Sequence, residues 1–293
     1  FGIYKALNDI EDYQESVKYL KLGNKLQRGL LNYDIDFHKS LSKKIKSIFS
    51  KIKIEDFKDK SKQDKYIFIL GMPRSGTTLI EKILSSHSQV STISESNFIP
   101  EKIFKFINSD YENLIKFLKS NFHEEYRDFT KSFNINNQII IDKTLVNFWY
   151  LGFIKIIFPN SKIIHVSRNP LDNCLSIFEN LFEYQQGWDC DQNELAEYYL
   201  IYKDLMEFWN KFFSQTIFNI KYEEMISNPN EKIKELISFC KLNWEEECLN
   251  FYKNDNPIKT LSVNQANKPI YKSSLNKFKN FEKELDILFK KLS

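Results

Sequence analysis

Five short runs constrain this chain more than any other feature. "YIFIL" (66–70), "QIIID" (138–142), "KIIHVS" (162–167) and "IFNIKY" (217–222) are apolar and rich in β-formers, and "QVST" (89–92) reads as a shorter strand among them. Helix-patterned stretches separate them: Thr77 to about His87, 97–107, 111–127, 147–158, a segment starting at Pro170, and a long one over 191–214. Two parallel strands need a crossover long enough to hold a helix, so strand alternating with helix demands a parallel sheet covered on both faces. The predicted fold class is α/β: a P-loop-like parallel sheet flanked by helices on both faces, preceded by a short α-helical hairpin.

The hairpin falls in residues 1–50. Ala6, Ile10, Tyr13, Val17 and Leu20 stand at helical spacing, and Asp9 to Asp12 suit the turn between two helices. The pattern resembles the end of a tetratricopeptide repeat, a helix-turn-helix unit of about 34 residues. One such unit cannot stack alone. Either further repeats precede Phe1 or the hairpin packs on the next domain; an ordinary amphipathic hairpin fits equally well. Residues 51–65, "KIKIEDFKDKSKQDK", are charged and aperiodic and read as a linker. Residues 66–293 then form the α/β domain.

Composition narrows the partners. A formal net charge of +3 is too small to argue for nucleic acid. No apolar run is long enough for a membrane span. Cys174, Cys190, Cys240 and Cys248 form no Cys-x-x-Cys pair and no histidines cluster near them, so no metal site is expected. Reduced thiols in a cytoplasm fit best, with two disulfides left open. The first residue is Phe1, not Met, so the start of the native chain is expected to be missing.

The loop after the first strand, "GMPRSGTT" (71–78), carries the chemistry. Its Gly-x-x-x-x-Gly spacing between strand and helix suits an anion, because N–H groups at a helix N-terminus converge there. Arg74 offers a two-pronged cation; Ser75, Gly76, Thr77 and Thr78 offer hydroxyls and close backbone approach. An ATP-binding loop would carry lysine where Thr77 stands. The ligand sought is therefore a phosphate-bearing group other than a magnesium-bound triphosphate.

At these residues the chain resembles sulfotransferases that use 3′-phosphoadenosine 5′-phosphosulfate, and within them the tetratricopeptide-containing bacterial branch related to protein-tyrosine sulfotransferases. "PRSGTT" resembles that family's 5′-phosphosulfate loop. The likeness continues through "DKTLVNFWYLG", "HVSRNPLDNCLSIF", "IKYEEMISNP" and "NKPIYKSSLNKF", covering roughly 66 to 290 in order. It implies that Arg168 and Ser176 hold the donor's 3′-phosphate and that Tyr222 lies near its adenine. It implies that Ser262, Gln265, Lys268, Tyr271 and Lys277 form a final donor clamp. Glu95 would be the catalytic base; Lys143, with Arg74, would stabilise charge on the leaving oxygen. No metal is implied. The acceptor would be a hydroxyl on a peptidyl tyrosine, a glycan or a small molecule, and the hairpin would be open to a protein partner. Asn180 departs from the tyrosine-specific pattern, which has a further arginine there.

Each residue also has a plainer reading. Glu95 fits a helix start favoured by the dipole, Lys143 a solvated strand end, and Tyr222 a core tyrosine. Arg168 fits a partner of Asp172. His87 is an alternative base, and Asp142 an orienting neighbour of Lys143. Two rival functions follow: a nucleotide kinase or NTPase with a degenerate loop, and a noncatalytic helical-repeat interaction protein.

Overall fold

The computed structural model describes residues 1–57, 65–133, 139–182, 186–253 and 275–293, with the single positions 135, 137 and 270. They fall into two compact units, one built from 42–167 and 205–270, the other from 1–41, 168–204 and 271–293.

The first unit holds the sheet. Strands β1 (Tyr66–Gly71), β2 (Val90–Thr92), β3 (Ile139–Asp142), β4 (Lys162–Ser167) and β5 (Ile217–Lys221) run in the order β2-β3-β1-β4-β5. Every pairing is parallel, with Phe68 opposite both Asp142 and Ile163, and Gly71 opposite Val166. The β1 run is apolar throughout because both of its faces are covered. Ile67 and Ile69 join Ile141, Ile164 and Ile220 in a core packed by helix α4 (Thr77–Ser85) and by the helix Pro229–Phe239. Tyr66 and Phe68, pointing the other way, meet an aromatic group in which Tyr66 lies 5.0 Å from Tyr126 and 5.2 Å from Phe158.

Three expected elements differ in detail: the stretch 147–158 is a 3-10 turn, Leu145–Trp149, followed by the helix Leu151–Ile157. The stretch 111–127 is two helices, Tyr111–Leu118 and Phe122–Lys131. Across the two helices the buried Leu114, Leu118, Phe122, Tyr126 and Thr130 stand four apart, with Phe117 buried beside them. On a 3.6-residue helix that spacing precesses by about 40° per step, so one straight helix would turn its apolar face away from the sheet. "IFNIKY" ends as a strand at Lys221, and Tyr222 is the first residue of helix Tyr222–Ser227.

The second unit contains the hairpin, with helices Gly2–Asp9 and Tyr13–Gly29 and a turn at Ile10–Asp12. Asp12 caps the second helix by accepting from Glu15 N–H. Val17 and Leu20 are buried as their spacing predicts, but Ala6 is exposed and Ile10, in the turn, is 72% exposed; the first helix buries Tyr4 instead. Tyr4 donates to Glu179 at 2.6 Å, Asn24 donates to the Phe178 carbonyl at 2.9 Å, and Arg28 forks onto both oxygens of Glu194. The hairpin thus packs on residues 178–194 of its own unit.

All four cysteines are free thiols and buried. Burial pushes the Cys240 thiol up to about 12.

Candidate active site

The loop at the carboxyl end of β1 is shaped by two glycines. A Cβ at Gly71 would come 2.4 Å from the Val166 carbonyl oxygen, so β4 passes too closely for any other residue. Gly76 (φ 104°) caps α4, and a Cβ there would lie 2.5 Å from the Tyr222 ring. Tyr222 therefore packs directly on the loop. Arg74 adopts a left-handed backbone (φ 65°), an uncommon conformation that concentrates at ligand loops. Ser75 is fully buried, and its Oγ has no hydrogen-bond partner among the described residues. A buried hydroxyl of this kind beside a helix start fits an anionic oxygen.

The carboxyl ends of β2 and β3 are zipped together beyond the strands. Ile93 N–H donates to the Ile141 carbonyl, and Lys143 N–H donates to the Ser94 carbonyl at 2.9 Å. Thr144 Oγ1 accepts from Ser96 N–H and donates to the Ser96 carbonyl. These bonds present Glu95 and Lys143 to each other: Lys143 Nζ donates to Glu95 Oε1 at 2.6 Å. Lys143 is only 1% exposed, whereas the Glu95 side chain is 49% exposed. Lys143 is therefore no solvated strand-end lysine, and the pair has one sheltered and one accessible member.

Asp142 does not bond to Lys143. Fully buried, it accepts from Tyr126 OH at 2.7 Å and from Thr144 N–H at 2.9 Å, with Asn147 at 3.3 Å. Burial pushes its carboxyl up to about 6, with the Thr144 and Tyr126 hydrogen bonds opposing. Its part is to shape the turn that carries Lys143. His87 is not a free base: Nδ1 accepts from Gln89 N–H, which leaves Nε2 to donate to the Asn243 carbonyl at 2.9 Å.

Glu81 was missed by sequence reasoning. It lies on α4 one turn beyond Thr77, fully buried, accepting from Thr92 Oγ1 at 2.6 Å and Ser94 Oγ at 3.0 Å. Its Oε2 is 3.6 Å from Lys143 Nζ. The available signal was an acidic residue set among Ile80, Ile83 and Leu84 on the apolar side of the helix.

In the other unit, Arg168 is the first residue after β4, and its carbonyl accepts from Tyr199 OH. Ser176 is buried on the helix Pro170–Phe178, which Asn169 caps by accepting from Leu171 and Asp172 N–H groups. Asp172 accepts from the Asn276 and Phe278 N–H groups, and Asn180 donates back to the Ser176 carbonyl. Lys277 is ion-paired to Glu179 at 2.6 Å. Ser262, Gln265, Lys268 and Tyr271 lie outside the described residues. Among the described residues no group of His, Cys, Asp and Glu is arranged to hold a metal, and no helix is long and apolar enough to cross a membrane.

Comparison with known proteins places this geometry. The model of the sulfotransferase family matches residues 66–246, more than half of the chain. An uncharacterized protein of Aquifex aeolicus (strain VF5) is 34% identical over 302 aligned positions that cover 97% of this chain. The chain spans 40% of that relative's length. The sulfotransferase domain from the Synechococcus PCC 7002 olefin synthase shares the fold, with a TM-score of 0.56 at 18% identity over 76% of this chain and 90% of its own. A parallel sheet with an anion-shaped loop after β1, and a match that begins at that strand's first residue, lead to one conclusion: the chain belongs to the sulfotransferase family.

Proposed function

We propose that the chain transfers a sulfonate from 3′-phosphoadenosine 5′-phosphosulfate to an acceptor hydroxyl by in-line displacement, with Glu95 as general base. The observation that carries this reading is the 2.6 Å contact between buried Lys143 and half-exposed Glu95. It is joined through α4 to the glycine loop.

The donor residues divide by the group they hold. Arg74, Ser75, Gly76, Thr77 and Thr78 take the 5′-phosphosulfate, Arg168 and Ser176 take the 3′-phosphate, and Tyr222 borders the adenine. Ser262, Gln265, Lys268, Tyr271 and Lys277 complete the donor site. The donor supplies the sulfonate already activated on a phosphate. As the acceptor oxygen bonds to sulfur, Glu95 takes the hydroxyl proton on the oxygen not engaged by Lys143. The bond from sulfur to the bridging oxygen breaks, and that oxygen keeps the electron pair. The Lys143 ammonium and the Arg74 guanidinium stand ready for the charge that develops there. Positioning and fixed charge then supply most of the rate. The acceptor is a hydroxyl of a peptidyl tyrosine, a glycan or a small molecule. Residues 1–50 form a repeat-like module open to a protein partner, 51–65 a linker, and 66–293 the sulfotransferase domain.

Labelled donor incubated with a mixed hydroxyl panel, read by mass spectrometry for an added sulfonate, tests the reaction. Glu95→Gln and Lys143→Ala should each cut turnover by about 10²–10³ while the fold survives. Normal turnover in both would refute the assignment. Magnesium-dependent ATP binding tighter than donor binding would favour a kinase.

A further inference from the structure

Lys143 has two acidic neighbours of opposite character. Glu95, at 2.6 Å, is half exposed; Glu81, at 3.6 Å, is fully buried. Both hydroxyl bonds to Glu81 fall on Oε1, from Thr92 and Ser94. Its Oε2 has no hydrogen bond among the described residues. A carboxylate taken fully out of water needs a compensating charge close by, and the Lys143 ammonium is the cation beside it.

We infer that Glu81 is a positioning residue, the fixed counter-ion that holds Lys143 in place while Glu95 is free to exchange its partner. This rests on the proposed roles of Glu95 and Lys143. A base that takes up a proton ceases to be an anion and releases its grip on a lysine paired to it. Without a second carboxylate the ammonium would lose its aim at the moment the leaving oxygen needs it. Glu81 is placed to prevent that: it is fully buried beside Lys143 and rooted in α4, the helix that begins at the anion loop. Its second action is on the loop that carries Glu95. Ser94 has a left-handed backbone (φ 56°), and its hydroxyl is tied to Glu81 Oε1. One side chain therefore registers both the lysine and the turn leading to the base.

Glu81→Gln keeps the shape and an oxygen acceptor for the two hydroxyls but removes the charge. With the best panel acceptor, kcat should fall about tenfold or more while KM for the donor stays within about twofold. A residue with a purely architectural role would leave kcat per folded molecule unchanged. A melting comparison, independent of the acceptor, supplies the second readout. Lys143→Met strands the buried Glu81 charge and should melt lower than the double variant Lys143→Met/Glu81→Gln, in which neither charge remains. Equal melting temperatures, or a double variant that melts lower, would overturn the inference whatever the kinetics show. Unchanged kcat in Glu81→Gln, with Glu95→Gln and Lys143→Ala inactive, would overturn it while sparing the catalytic assignment. Activity in all three would remove the reading on which it rests.

Discussion

At the scale of single residues, the charges in this site are sorted by access to water. Asp142, like Glu81, is sealed from water, and its raised pKa makes a signed prediction. A carboxyl that titrates near 6 when folded but near 3.8 when unfolded favours the folded state below the lower value. That advantage is lost as pH rises through 6. Asp142→Asn removes the dependence, so thermal melts from pH 4 to 7 should show the wild type losing ground to the variant as pH rises. The swing should be a few kcal/mol at most. A gap that stays constant across that range would contradict the buried placement. Arg74 is tested differently. Arg74→Lys keeps the charge but loses the planar fork, and donor binding measured by calorimetry should weaken by about tenfold, roughly 1.4 kcal/mol.

At the scale of elements, close approach is the recurring theme. Gly76→Ala places a methyl group in the Tyr222 ring and forces a left-handed backbone on a residue that resists it. It should cost roughly 1–3 kcal/mol, and Gly76→Ala/Tyr222→Ala should recover only the steric part, seen as a partial rise in melting temperature. Gly152, on the helix Leu151–Ile157, lets Phe49 and Trp209 meet at 4.7 Å; a Cβ there would be 2.3 Å from Phe49 and 2.5 Å from Trp209. Gly152→Ala should destabilise by about 1–3 kcal/mol by overpacking, measured in urea. Strands β1, β3 and β4 were legible because strands covered on both faces write most of their length in apolar residues; β5, at the sheet's edge with Asn219 and Lys221 exposed, was marked by its β-formers, and all four lie within a residue of the runs that mark them. The loop was legible because its glycines and arginine have few other uses in that setting. The break after Leu118 was hidden, since each four-residue step is locally helical and only the accumulated precession forbids one helix. Glu81 was hidden because a charged residue on a helix ordinarily marks a solvent face, and its buried partners come from segments remote in sequence. The pairing of Glu95 with Lys143 depends on β2 lying beside β3, which the order of elements along the chain does not reveal.

At the scale of the whole molecule, the helical hairpin is part of a folded unit. Asn24 answers a buried carbonyl of residue 178, and Arg28 binds Glu194 with both prongs. Asn24→Ala should cost about 1–3 kcal/mol, because it leaves the Phe178 carbonyl unanswered. Limited proteolysis should then cut faster within 170–204, while cleavage within the sheet is unaffected. The same unit also draws on Lys277, whose ammonium shares the Glu179 carboxylate with Tyr4. Three stretches, 175 and 98 residues apart along the chain, thus converge on one acidic side chain. During synthesis, the helices of residues 2–29 must wait until residue 277 has been made before their last partner exists, and a long loop must close first. In pulsed hydrogen exchange during refolding, amides of residues 2–29 should gain full protection together with those of 277–292, after the strands have done so.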